Sequence, residues 1–136
     1  MNVRLVMLVA ALMVLAITAQ AAATEHEIVT PAFAHTIPNV PGKTITALMV
    51  TYKPGGTSLA HRHGSAFVVA YVLSGVIRSQ LEGGEAKVYH AGESWTEAPG
   101  AHHVVSDNAS RTESASLLAI FIADNSDKQL VTYDKP

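Results

Sequence analysis

From Thr44 onward, apolar residues either alternate with polar ones or gather in short blocks, and turn residues interrupt them about every ten positions. Thr44–Tyr52 (TITALMVTY) is rich in β-branched residues and ends at Lys53-Pro54-Gly55-Gly56, a turn signal. Phe67–Leu73 (FVVAYVL) is an unbroken apolar run closed by Ser74-Gly75, and residues 76–81 alternate before the turn Glu82-Gly83-Gly84-Glu85. Residues 86–89, 94–96 and 103–105 form shorter strand candidates, parted by Ala91-Gly92 and Pro99-Gly100, and Leu117–Ala123 (LLAIFIA) is a further strand of buried character. No window beyond residue 23 carries the 3.6-residue period of an amphipathic helix. The pattern predicts an all-β sandwich or barrel. A run such as 67–73 cannot leave one face in water, so it belongs between two covered faces, as in a small barrel whose inner wall lines a cavity. Phe67, Val69 and Tyr71 are the expected cavity-lining residues of that strand.

The first 23 residues break the pattern. Arg4 precedes an apolar stretch, Leu5 to Ile17, followed by the small-residue sequence Ala19-Gln20-Ala21. This is the layout of a secretory signal peptide, and its apolar helix would rise only about 20 Å against the roughly 30 Å of a bilayer core. Cleavage is expected after Ala21 or Ala23, giving a periplasmic or secreted protein with no membrane association after signal removal. Residues 24–136 then form one domain, in keeping with a chain of 136 residues that shows no internal repeat or linker.

Nine Lys+Arg against eleven Asp+Glu leave no basic footprint for nucleic acid. With no cysteine, any metal site must use nitrogen and oxygen ligands. The unusual feature is seven histidines, five of them between residues 61 and 103. His61 and His63 share one face of an extended strand while Arg62 takes the other. His103, just past the Pro99-Gly100 turn, can close a third coordination position and leave others open, the geometry of a reactive rather than a structural metal site. Imidazoles suit Fe, Mn, Ni, Cu or Zn, and the pattern does not choose among them. Gln80 is a candidate fourth ligand through its parity on the 76–81 strand. Glu97 and Glu93 read as charges on a solvated strand face, with Glu97 able to approach the pocket rim. His26, His35 and His90 read as surface residues, and His102 as pointing away from His103.

These residues resemble the cupins. Gly55-x5-His61-Arg62-His63, leading to Gly75, is similar to the first cupin motif, G-x5-H-x-H-x3,4-E-x6-G. Gly92-x7-Gly100-x2-His103 is similar to the second, G-x5-P-x-G-x2-H-x3-N. The motifs occupy about 55–75 and 92–108. The resemblance implies a jelly-roll barrel (double-stranded β-helix) of the RmlC-like type, and His103 rather than His102 as a ligand. Three departures stand out: the glutamate position of the first motif holds Val68, the proline position holds Ala98 with Pro99 beside it, and the asparagine position holds Asp107 followed by Asn108.

The resemblance implies a divalent transition metal held by His61, His63 and His103, a small-molecule substrate or ligand, and dioxygenase, isomerase or lyase chemistry, with homodimerisation common among such proteins. No catalytic residue beyond the ligands is singled out. The apolar lining favours an uncharged or aromatic compound over a phosphorylated one, and no glycine-rich phosphate loop is present. The alternative is a non-catalytic ligand-binding or sensing barrel with a degenerate metal site, a reading that Val68 keeps open.

Overall fold

The computed structural model describes residues 26–135; the expected signal segment, 1–23, lies outside them. Among the described residues there are ten strands and no helix: β1 (Glu27–Thr36), β2 (Lys43–Tyr52), β3 (His61–Arg62), β4 (Phe67–Ser74), β5 (Val76–Leu81), β6 (Lys87–His90), β7 (Ser94–Glu97), β8 (His102–Asn108), β9 (Ala115–Asp124) and β10 (Thr132–Tyr133). They form two five-stranded antiparallel sheets, ordered β1-β2-β9-β4-β7 and β10-β3-β8-β5-β6. No helix among the described residues is long and apolar enough to cross a membrane.

The first sheet supplies most of the apolar interior. Leu48, Val50 and Tyr52 of β2, Val68, Ala70 and Val72 of β4, and Leu117, Ala119 and Phe121 of β9 turn toward the second sheet. Ile77 of β5 meets them from the opposite side. β9 sits between β2 and β4 and carries half-buried Leu118, Ile120 and Ile122 on its other face, but β4 lacks the expected second covered face: its Phe67, Tyr71 and Leu73 are exposed.

The phase of β4 differs from the expectation. Phe67 and Tyr71 lie on the outer face, 37% and 42% exposed, with half-buried Val69 between them, and the inner wall takes Val68 and Ala70. A strand apolar on both faces has no alternation to set its phase. The β4–β5 turn requires Gly75. Its φ is +71°, and a Cβ there would stand 2.6 Å from the Ser114 carbonyl oxygen and 2.8 Å from Ala115 Cβ.

β1 and the two-residue β10 are elements that the pattern did not predict, and β1 is the longer. Its sequence, EIVTPAFAHT, contains Pro31, which cannot donate to a ladder. The strand is tolerated because it lies at the sheet edge, pairs only with β2, and bulges between Pro31 and Phe33.

Candidate metal centre

His61 opens the two-residue strand β3 and His63 follows directly after it, and His61 pairs across to His103 of β8. Strand alternation turns His61 and His63 into the barrel and leaves Arg62 outside, where Nη1 donates to the Gly100 carbonyl at 2.9 Å. All three histidines are buried, and one ring nitrogen from each lies within 4.8 Å of the others. Their rings meet edge to face, His61–His63 at 4.7 Å and His61–His103 at 5.0 Å between centroids.

Backbone carbonyls set the tautomers. His61 Nδ1 donates to Leu59 O at 2.6 Å and His63 Nδ1 donates to Leu130 O at 2.8 Å. A carbonyl only accepts, so the proton of each neutral ring resides on Nδ1 and the Nε2 lone pair is free, the arrangement that orients metal-binding imidazoles. His103 has Ser79 Oγ 2.8 Å from Nε2 and presents Nδ1 to the cluster.

A carboxylate lies beside the group. Glu97, only 3% exposed, places Oε1 3.1 Å from His103 Nδ1 and Oε2 3.5 Å from His63 Nε2. Trp95 Nε1 donates to Oε1 at 3.1 Å, whereas Oε2 is buried without a hydrogen bond. Alternation on β7 puts Trp95 and Glu97 on the inner face together. Glu97 is therefore interior, not a charge on a solvated face or at the rim.

Burial governs the electrostatics. It lowers the pKa of His61 and His63, and pushes His103 down to about 3, helped by the neighbouring His61 and His63. Burial also raises the Glu97 carboxyl. Neutral imidazole is the form that lends a lone pair to an ion, so the histidines are ready for coordination at ordinary pH, while the carboxyl would release its proton on binding a cation.

The cavity holding this cluster has a volume of about 70 Å³ and is walled by Leu48, Val68, Ala70, Leu117, Ala119 and Phe121 among others. It also takes in a second polar group. Glu27, equally buried, accepts a hydrogen bond from Ser58 Oγ and one from Tyr133, and the Tyr52 hydroxyl bridges Ser58 Oγ at 2.6 Å and Ser106 Oγ at 2.8 Å.

The remaining candidates lie elsewhere. Gln80 is outside the cavity lining, and its amide donates to Gly84 O at 2.9 Å within its own hairpin. The inward position on β5 belongs to Ser79, because parity on this strand runs with buried Ile77 and Ser79. His102 faces away from His103, with Nε2 2.8 Å from Asp134. His90 is exposed beside Glu93, and His35 is exposed against Phe33. In the second motif, Asn108 rather than Asp107 is interior, bonding Lys53 O and Glu113 O, while Asp107 pairs outside with Arg78.

The family profile for the cupin domain matches residues 48–121, more than half of the chain. No curated protein matches the sequence. Among solved structures, an oxalate oxidase in complex with the substrate analogue glycolate superposes with a TM-score of 0.63 at 21% identity, covering 82% of this chain and 57% of the oxidase. The chain thus spans little more than half the length of that relative. A Klebsiella pneumoniae protein with a double-stranded β-helix domain gives a TM-score of 0.64 at 15% identity, covering 85% of this chain and 90% of the other. An oxalate decarboxylase gives 0.63 at 24% identity, covering 84% of this chain and 30% of the decarboxylase. At such identities the likeness is one of fold. With both motifs in place, two facing antiparallel sheets and a profile match over most of the barrel, the chain belongs to the cupin family.

Proposed function

We propose that the protein binds one divalent transition metal ion through His61, His63 and His103, and that its cavity presents this ion to a small organic molecule for dioxygenase, isomerase or lyase chemistry. The observation that carries the reading is the pair of free Nε2 lone pairs on His61 and His63, held by the Leu59 and Leu130 carbonyls beside a buried His103. When bound, such an ion supplies Lewis-acid polarisation of a substrate oxygen or a redox centre. The chain's own contribution is to hold the imidazoles neutral and to exclude water with the walls of Val68, Leu117 and Phe121.

Cavity size narrows the substrate. An aromatic ring fills an apolar cavity of about 150 Å³ in a well-studied case, roughly twice what this barrel offers. With Phe67 and Tyr71 on the outside, the earlier reason for an aromatic ligand also falls away. A compound of a few heavy atoms, such as a short-chain acid or keto acid, fits better, and the oxalate enzymes among the structural neighbours support the same class.

Metal analysis of untagged protein, beside a His61→Ala/His63→Ala variant, tests the reading. One equivalent of metal in the wild type and none in the variant is expected; wild-type protein that takes up no metal on titration would sink it. Oxygen uptake and product analysis with glycolate, oxalate, keto acids, 1,3-diketones and catechols then separates the reaction classes. The second reading, a ligand-binding barrel without chemistry, draws on Val68 at the motif's carboxylate position, and turnover of none of these compounds by the metal-loaded protein would favour it. Export belongs to the same proposal, and an intact mass of secreted material beginning after Ala21 or Ala23 would support it.

A further inference from the structure

We infer that Glu97 is the fourth protein ligand of this centre, a carboxylate supplied from β7 in place of the one that the first motif lacks at Val68; the inference rests on the reading of the three histidines as ligands. The strand register makes the replacement possible. Val68 of β4 and Glu97 of β7 are directly paired neighbours, and both side chains face the cavity. Paired residues on adjacent strands have Cβ atoms about 5 Å apart, so a glutamate side chain from either position can reach the same point in the barrel.

The distances agree with coordination. Two ligand atoms each about 2.1 Å from one ion, at angles between octahedral and tetrahedral, stand about 3.0–3.4 Å from each other. Glu97 Oε1 is 3.1 Å from His103 Nδ1, and Oε2 is 3.5 Å from His63 Nε2. One carboxylate thus lies at ligand spacing from two of the three imidazoles.

The burial of Glu97 needs a cause. A carboxyl oxygen sequestered from water without a donor is costly, and Oε2 is such an atom. Trp95 Nε1 holds the other oxygen, leaving Oε2 beside His63 Nε2, which is an acceptor when unprotonated. Two acceptors brought face to face repel unless a proton or a cation lies between them. Three neutral imidazoles offset none of a divalent ion's charge, while one carboxylate offsets half. The set of three nitrogens and one hard oxygen is suited to Fe, Mn or Co, and an octahedral ion held by it keeps two positions for substrate.

Titration of the untagged protein with Co²⁺, followed by visible absorption, tests the inference. Three proteins are compared: wild type, Glu97→Gln, and an exchange variant in which Val68→Glu is combined with Glu97→Val. Glu97→Gln preserves shape and removes the charge, and it should weaken Co²⁺ binding by about 100-fold or more, given that even outer-shell partners are worth 10- to 100-fold. Its absorption spectrum should shift. The exchange variant should recover most of the lost affinity, because it returns the carboxylate to the cavity from the neighbouring strand; this arm holds even if the single variant folds poorly. Wild-type affinity and an unchanged spectrum in Glu97→Gln would overturn the role of Glu97 while leaving the histidine site standing. Absence of Co²⁺ uptake by the wild type would bring down both.

Discussion

Glu27 and Glu97 are buried to the same extent in one cavity, yet they keep different company. Burial raises the pKa of both, Glu27 to about 7. Glu27 is surrounded by hydroxyls: Ser58 donates to it, Tyr133 bonds to it, and Tyr52 backs Ser58 while touching Ser106. Glu97 has a single donor, Trp95, and faces two imidazoles with one oxygen unpaired. Burial and a raised pKa therefore do not distinguish a structural acid from a ligand. The partners do: hydroxyl donors satisfy an acid where it stands, whereas nitrogen acceptors leave it needing a proton or a cation between them.

The contrast can be broken most strongly at the histidine end. Metal at a thousandfold excess over its dissociation constant should stabilise the protein by about 4 kcal/mol, and chelation or His61→Ala/His63→Ala should abolish that gain, read as a fall in Tm. Glu27→Gln should leave the metal-induced rise in Tm intact. A smaller effect is expected from Tyr52→Phe, which strips Ser58 and Ser106 of a buried partner; about 1–3 kcal/mol in urea denaturation, with metal affinity unchanged, would mark that network as structural.

The pH dependence of the metal-free protein sharpens the comparison further. Glu27 titrates near 7 when folded and near its ordinary 4.5 when unfolded, so the native state binds the extra proton between those values. Its contribution to stability is present below about 4.5 and is lost as pH rises toward 7. The buried histidines act in the opposite sense: their lowered values make stability fall as pH drops below 6.5, continuing to about 3 for His103. Denaturation midpoints across pH 4–8 should show Glu27→Gln more stable than wild type at pH 8 and no better at pH 4. The smallest change belongs to Arg78→Ala, which removes an exposed pair with Asp107 at 2.5 Å; about 0.5 kcal/mol or less, with no effect on metal uptake, is expected.

Much of the barrel was legible because regular turns delimit the strands and each keeps a strand signal, alternation in β5 and β7 or a block rich in β-branched and apolar residues in β2, β4 and β9. The histidine cluster was legible for a related reason: alternation puts His61 and His63 on one face whatever surrounds them. The phase of β4 was misread through Phe67, Val69 and Tyr71, although one clue was at hand. A motif position that carries a metal-binding glutamate must point inward, so Val68, and with it Ala70, marks the inner face. Glu97 was obscured because a lone acid on a four-residue strand looks like a solvated charge. The signal that could have found it was the lost carboxylate at Val68 together with a second acid near a motif histidine. β1 was hidden by Pro31, since only an observed sheet shows that this residue falls at an edge.

That edge has a consequence for how copies of the chain meet. Open strand edges invite another chain to add on, and among the described residues this barrel has four of them. β6 and β7 offer four residues each and β10 two, too little for a stable ladder, while the long edge, β1, is interrupted by Pro31 and its bulge. A second molecule cannot extend the first sheet at β1 without first straightening that bulge and forgoing a hydrogen bond at the proline. Growth into continuous ribbons is thereby discouraged in a protein whose first sheet carries apolar residues on both faces, and concentrated solutions should resist fibril formation for a reason unrelated to the histidines.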